Sequence, residues 1–273
     1  MGQGLGLALK RRGYRVLLVN RTPREVMPPL ILHQGSQAEA TLGAELILIA
    51  TPDDAIEQVA TELAAENAVS RDQVVLHLSG LLDRGALSAL DGTGAACGSF
   101  HPVQTIAAPG TAAERLKGAY VGIEGDERAL VAAERLANTL RMVPVRIPAE
   151  AKPAYHAAAA LVANYTIALV GVAERLAQSA GIPADVAARL YLPLWAGAVS
   201  NVSEVGTASA LTGPLRRGDV QTIRAHLEAL GAEDRQLYRA VGRAALALAR
   251  EAGLDGAAAA GLQSVLEEPT GLT

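Results

Sequence analysis

MGQGLGLALKRRGYRVLLVNRT, residues Met1–Thr22, decides how the rest of the chain is read. Leu5, Ala8 and Leu9 stand at i, i+3, i+4, so Gly2 to Arg12 reads as one amphipathic helix with Gly13 as its stop. Tyr14 to Val19 reads as a buried strand, closed by the polar triplet Asn20, Arg21 and Thr22. Helix, glycine stop, strand and polar end make the second half of the first turn of a dinucleotide-binding fold. In that fold a strand carrying G-x-G-x-x-G comes first, and the third glycine opens the helix. Gly2, eleven residues before Gly13, suits that third glycine. On this reading the first strand and the two leading glycines lie before Met1. Gly4 and Gly6 do not supply the fingerprint, because no strand precedes them. The rival reading is an unrelated glycine-rich helix start.

The totals narrow the function classes. At 273 residues, half of them apolar, the chain holds one large domain or two ordinary ones. Aromatic residues make up only 3%, so Ala, Leu and Val must do most of the packing. With 24 basic against 28 acidic residues and a net charge of −4, nothing points to nucleic acid or an anionic membrane as partner. The lone Cys97 excludes an intrachain disulfide and fits a reducing, cytoplasmic setting. Ala157 to Ala173 carries no formal charge and is at the short end of a spanning helix. Asn164, Thr166 and Gly171 lie inside it and no second apolar span exists, so a buried central helix is the reading adopted.

Strands and helices alternate through the first half. Leu46–Ala50 is an apolar run of the kind found in parallel sheets covered on both faces, and a helix follows to about Glu66. Val74–Leu78, Ala95–Phe100, Ala119–Ile123 and Val143–Ile147 read as further strands, with a helix from Glu127 to Leu140 before the last. The pattern predicts an α/β fold, a doubly wound parallel sheet over residues 1–148. After Pro148 no convincing strand remains. Residues 149–273 read as an all-α domain, opening with a long helix from Pro153 to about Ala180. In the usual 3-2-1-4-5-6 order the first strand is central, between Arg15–Val19 and Val74–Leu78. A gap between those two strands, or their direct pairing, is therefore expected.

In such sheets ligands bind beyond the carboxyl ends of the strands, so the residues just after each strand matter most. Asn20, Arg21 and Thr22 end the strand whose tip normally meets the adenosine ribose. An acidic residue there favours NAD, whereas a guanidinium fork suits the 2′-phosphate of NADP; the plain alternative is a solvated turn. Thr51-Pro52 and Ser79-Gly80 would line the cofactor groove with small groups. His77, between Leu76 and Leu78, reads as a core histidine. His101 stands on a strand-end loop before Pro102, placed either to exchange a proton at the reacting carbon or to anchor the loop. Lys152, His156, Ala160 and Asn164 recur every four residues and share a helix face, with the two ends about 18 Å apart. Neighbouring members could cooperate on a substrate, or the stripe could be a polar seam between domains. No His/Cys/Asp cluster has metal-ligand spacing, and His33 and His226 read as surface residues.

Five stretches together resemble one family: LILIATPDDAI (Leu46–Ile56), VLHLSG (Val75–Gly80), GSFHPVQT (Gly98–Thr105), KPAYHAAAALVANY (Lys152–Tyr165) and ALTGPLRRGD (Ala210–Asp219). It is the group of predicted oxidoreductases with a Rossmann-like N-terminal domain and an uncharacterised helical C-terminal domain. These look like distant relatives of pyrroline-5-carboxylate reductase, deazaflavin-dependent NADP reductases and the 6-phosphogluconate dehydrogenase group. The resemblance implies NADP binding, a homodimer built on the helical domains, and hydride transfer to or from a small carbonyl, imine or hydroxy compound. It names no substrate. Related hydroxyacid enzymes use a Lys with an Asn four residues later on the first long helix. Here either Lys152 pairs with His156, or alignment through Asn164-Tyr165 puts His156 at the lysine place and Ala160 at the first Asn. Both registers involve His156. His101-Pro102 also resembles the His-Pro of prephenate dehydrogenases, where the histidine is catalytic, although Val103-Gln104 departs from that motif. The competing class is a non-catalytic NADP-binding dimer with an architectural helix stripe.

Overall fold

The computed structural model describes residues 1–20 and 25–267, which divide into two compact units, Met1–Thr166 and Ile167–Thr273. Arg21 and Thr22 lie outside the described residues. The first unit runs α1 (Gly2–Lys10), α2 (Gln37–Thr41), β1 (Leu46–Ile49), α3 (Ile56–Ala65), β2 (Val74–His77), β3 (Ala96–Pro102), α4 (Ala112–Leu116), β4 (Tyr120–Gly125), α5 (Glu127–Leu140), β5 (Val143–Arg146) and α6 (Lys152–Ala160). Short 3-10 turns at Asp53–Ala55 and Arg84–Thr93 follow β1 and β2.

Period-two alternation builds the sheet's two faces. Along β2, Val74 and Leu76 enter one core with Leu5, Phe100, Ile123 and Leu136, under α1, α4 and α5. Val75 enters the other, with Ile56, Leu63, Leu87 and Cys97, under α3 and the Arg84–Thr93 turn. Both faces are covered, which is why β2 reads as a continuous apolar run. Each fully buried Leu or Phe here contributes about 1.5–3 kcal/mol. Gly2 and Gly4 bring α1 close: a Cβ at Gly2 would stand 2.8 Å from Ala50 Cβ, and one at Gly4 2.7 Å from Ala112 Cβ. Gly4 thus serves helix packing.

The strands follow one another across the sheet in the order β1-β2-β3-β4-β5. Three expectations are corrected. β4 runs antiparallel to β3, while the other pairs are parallel; apolar runs carry no information on strand direction. Tyr14–Val19 forms no ladder: it is extended but bridges only at Leu18, opposite Leu32. Leu18 N–H donates to the Ile31 carbonyl and His33 N–H to the Leu18 carbonyl. Lastly, β2 is paired on both sides, by β1 and β3, so neither a gap nor direct pairing with Arg15–Val19 exists beside it. Among the described residues the sheet's edge on that side is β1.

A π-helical turn, Leu161–Tyr165, follows α6. The second unit holds α7 (Thr166–Ser179), α8 (Ala184–Leu190), α9 (Leu192–Val205), α10 (Thr207–Ala210), α11 (Gly213–Arg217), α12 (Val220–Ala229), α13 (Ala232–Glu251) and α14 (Gly256–Glu267). Its core joins α12, α13 and α14 through Ile223, Leu227, Leu246, Leu262 and Leu266. Among the described residues, one helix is long and apolar enough to cross a membrane, Ala149–Ser179, with mean hydropathy 1.6 over its apolar window. The expectation that this helix is buried is corrected, since none of that window is buried within the chain. Val162 is 77% exposed, Ile167 61%, and on α9 Leu194 is 71% and Trp195 39% exposed. The apolar pattern here marks a face that the described residues leave uncovered.

Candidate active site

The carboxyl ends of β1, β2 and β3 lie side by side and carry Thr51-Pro52, Ser79-Gly80 and His101-Pro102. His101 and Pro102 are the last two residues of β3, paired with Gly122 and Val121 of β4, so the strand-end loop expected for His101 is instead the strand itself. Cys97, Ser99 and His101 alternate onto one face of β3. The first turns of α6 meet that face with Lys152, Tyr155 and His156.

Two glycines make the meeting possible. A Cβ at Gly80 would stand 2.5 Å from His156 Nδ1 and 2.8 Å from His101 Cε1. A Cβ at Gly122 would stand 2.5 Å from the Tyr155 hydroxyl. The His101 ring lies edge-on to His156 and to Tyr155, with centroids 5.6 and 5.5 Å away. Its Nδ1 is 2.7 Å from the Tyr155 hydroxyl. His156 Nδ1 is buried with no hydrogen-bond partner among the described residues.

Beneath this cluster lies a charged relay. Lys152, 2% exposed, donates from Nζ to Ser99 Oγ at 2.8 Å and approaches the Ser79 carbonyl at 3.5 Å. Ser99 Oγ donates to Glu124 Oε2 at 3.2 Å, and the Arg84 N–H donates to Glu124 Oε1. Lys152 therefore points into the sheet, and any influence it has on a ligand passes through Ser99 and Ser79. Ser79 donates to Asp53 Oδ2 at 2.7 Å and accepts the Leu81 and Leu82 N–H groups, which fixes the turn after β2. His77 is a satisfied core residue. The Ser79 N–H donates to its Nδ1, so its Nε2 carries the proton and donates to the Asp83 carbonyl.

Burial dominates the titration behaviour. It pushes His101 down to about 4, helped by the neighbouring His156 and the Lys152 ammonium. Burial also lowers Lys152 and His77 and raises the Tyr155 phenol. At neutral pH His101 is an uncharged imidazole beside an uncharged phenol.

Of the residues singled out from sequence, His101, Lys152, His156, Ser79 and Gly80 come together. Thr51 and Pro52 are exposed at the neighbouring strand end, and Asn20 is exposed after the Leu18 bridge. Gly2 opens α1, whose first turn takes no side-chain cap. Asn164 is exposed within the π turn, and no hydrogen bond joins it to the cluster. Tyr155, Ser99, Glu124 and Asp53 had not been singled out. Ser99 was within reach of sequence reasoning, two residues before His101 on a strand. Among the described residues no group of three or more His, Cys, Asp or Glu side chains is placed to hold a metal ion.

Residues 1–102 match the model of a Rossmann-like domain, and residues 119–245 match a domain of unknown function, DUF2520. No curated protein matches the sequence. Among solved structures, protein TM1727 from Thermotoga maritima is 27% identical with a TM-score of 0.64, over 77% of this chain and 81% of that one. An imine reductase from Myxococcus stipitatus, in complex with NADP+, is 20% identical with a TM-score of 0.61, over 98% and 96%. A pyrroline carboxylate reductase from Plasmodium falciparum with NADP bound is 10% identical with a TM-score of 0.63, over 97% and 94%. The fold is thus one shared with NADP-dependent reductases.

Proposed function

For a chain that joins a Rossmann-like domain to a DUF2520 domain, we propose an NADP-dependent oxidoreductase acting on a small carbonyl, imine or hydroxy compound. The observation that carries this reading is the pair of imidazoles held over Gly80 at the carboxyl ends of the sheet, where ligands of this fold class bind. The uncapped first turn of α1 at Gly2, the small Thr51-Pro52 turn and Ser79-Gly80 fit a dinucleotide, because free backbone N–H groups and strand ends with small residues let it approach. When bound, NADP(H) supplies or accepts the hydride. His156 and His101 handle the proton at the reacting atom, and Lys152 holds the Ser79 turn and β3 in place. Asn164 is assigned to orienting the substrate.

Arg21, with Asn20 and Thr22, is assigned to the 2′-phosphate. Arg21→Ala should weaken NADPH binding by about 1–3 kcal/mol, the range for charge-assisted hydrogen bonds, and leave NADH nearly unchanged. Equal losses for both cofactors in fluorescence titrations would remove the assignment. We further assign residues 1–148 to the cofactor and 149–273 to substrate and dimerisation, with two copies sharing the uncovered apolar face. A single buried, free Cys97 suits the cytoplasm.

The function itself is tested by NADPH oxidation across a panel of carbonyls and imines. His156→Asn keeps some hydrogen-bonding capacity but does not titrate near neutrality. It should leave cofactor affinity and melting nearly unchanged while turnover falls roughly 10²-fold. Full turnover with a large loss of stability would make His156 a packing residue.

A further inference from the structure

We propose that Tyr155 is a positioning residue that locks His101 in its Nε2–H tautomer, so that the site presents a neutral hydrogen-bond donor to an acceptor atom of the substrate. The inference about what His101 then does rests on the oxidoreductase reading; the tautomer does not.

The geometry leads there in three steps. The Tyr155 hydroxyl stands 2.7 Å from His101 Nδ1, and its ring lies edge-on to the imidazole at 87°. The Gly122 backbone N–H also donates to this oxygen, which leaves the phenol's own proton for His101, and the hydroxyl is pressed over Gly122, where any Cβ would collide with it. A phenol has one proton to give. If His101 carried its proton on Nδ1, the phenol would have to accept and its own proton would be left without a protein acceptor in a half-buried place. If Nδ1 accepts instead, the phenol is satisfied and the imidazole proton must reside on Nε2. The charged and titratable groups around the ring are His156 and Lys152 from α6 and Asp53 from the turn after β1. Burial, His156 and Lys152 all oppose a second proton on His101, which keeps the ring neutral.

A neutral Nε2–H pairs with a carbonyl oxygen or an alkoxide. It does not pair with a protonated iminium, whose nitrogen has no lone pair. Within the proposed reaction the substrate class therefore narrows to carbonyl compounds, the alcohols they interconvert with, and imines that stay unprotonated at neutral pH.

Histidine-15N NMR of the full chain, without substrate or cofactor, reads the tautomer directly. In the wild type His101 should show a protonated Nε2 and a pyridine-type Nδ1 throughout pH 6–8 (about two units above its lowered titration point). In Tyr155→Phe, which keeps the ring but removes the hydroxyl, the two nitrogens should move toward averaged values. Gly122→Ala, which displaces the hydroxyl without touching Tyr155, should do the same should the first variant misfold. An Nδ1–H tautomer or an imidazolium in the wild type, or an unchanged tautomer in both folded variants, would overturn the proposal. Turnover adds a second reading. Tyr155→Phe should lower kcat about tenfold or more with a smaller change in KM, the lower part of the scale for acid–base help. Ketones should be turned over in preference to cyclic imines that are protonated at neutral pH. Preference for such imines would overturn the substrate class and leave the tautomer standing. Absence of any NADPH oxidation would count against the oxidoreductase reading alone.

Discussion

Burying an imidazole costs the protein its ability to charge that ring, and His101 carries this cost in a readable form. In the unfolded chain the ring takes a proton below about pH 6.5, but in the folded chain only below about 4. Between these values the unfolded state binds more protons, so stability is full above the window and is lost as pH falls through it. Wild-type stability should therefore drop more steeply from pH 6.5 to 4 than that of His101→Asn, measured by urea unfolding at each pH. Part of the slope should persist in the variant, because burial lowers His77 in the same direction. Identical slopes would show that His101 titrates normally. The histidines of this site were visible in the sequence because imidazole next to a strand end is rare enough to notice. Tyr155 was not, because one aromatic in an alanine-rich helix start looks like packing. Only the position of Gly122 on another strand shows that its hydroxyl is aimed.

At the scale of elements, α6 is fastened to the sheet through a few polar contacts, and the deepest is Lys152 to Ser99. A hydrogen bond to a buried ammonium is worth about 1.5–3 kcal/mol, and Glu124 beyond Ser99 shares in it. Lys152→Met and Ser99→Ala should each destabilise the protein by roughly 1–3 kcal/mol. The double variant should lose less than their sum, by about 0.5–3 kcal/mol, because both remove the same link. Additive losses in guanidinium unfolding would show that the two act separately. Most elements of this layer were legible. The helix expected at Glu127–Leu140 forms at those residues, and the apolar runs expected from Leu46, Val74, Ala95, Ala119 and Val143 all become strands, two of them starting one residue later, at Ala96 and Tyr120. Pairing was the illegible part. Tyr14–Val19 has the composition of a strand but bridges at one residue only. Glu124 faces Ser99 only because β4 runs antiparallel, a direction that hydrophobic patterning does not encode. The charged relay under the site was hidden for that reason.

For the molecule as a whole, the decisive feature is the set of apolar side chains exposed on α7 and α9, which no other described residues cover. Water on that many Val, Ile and Leu side chains is unfavourable, at about 25 cal/mol per Å2 of apolar area that could be buried. A second copy and a lipid bilayer are the two covers that the composition of Ala149–Ser179 allows. The homodimer reading predicts a detergent-free dimer at micromolar concentration in analytical ultracentrifugation, and no binding to lipid vesicles. Leu194→Glu should weaken the dimer at least tenfold, since it removes about 1.5–3 kcal/mol of apolar burial and adds a charge. A monomer that partitions into vesicles would reverse the assignment. The same surface gives the protein an optical address. Its single tryptophan, Trp195, is part-exposed on α9, and residues 1–166 contain none. Indole emission therefore comes entirely from the second unit. On dilution through the dissociation range the emission should move to longer wavelength as the indole is wetted, giving an association isotherm without any label.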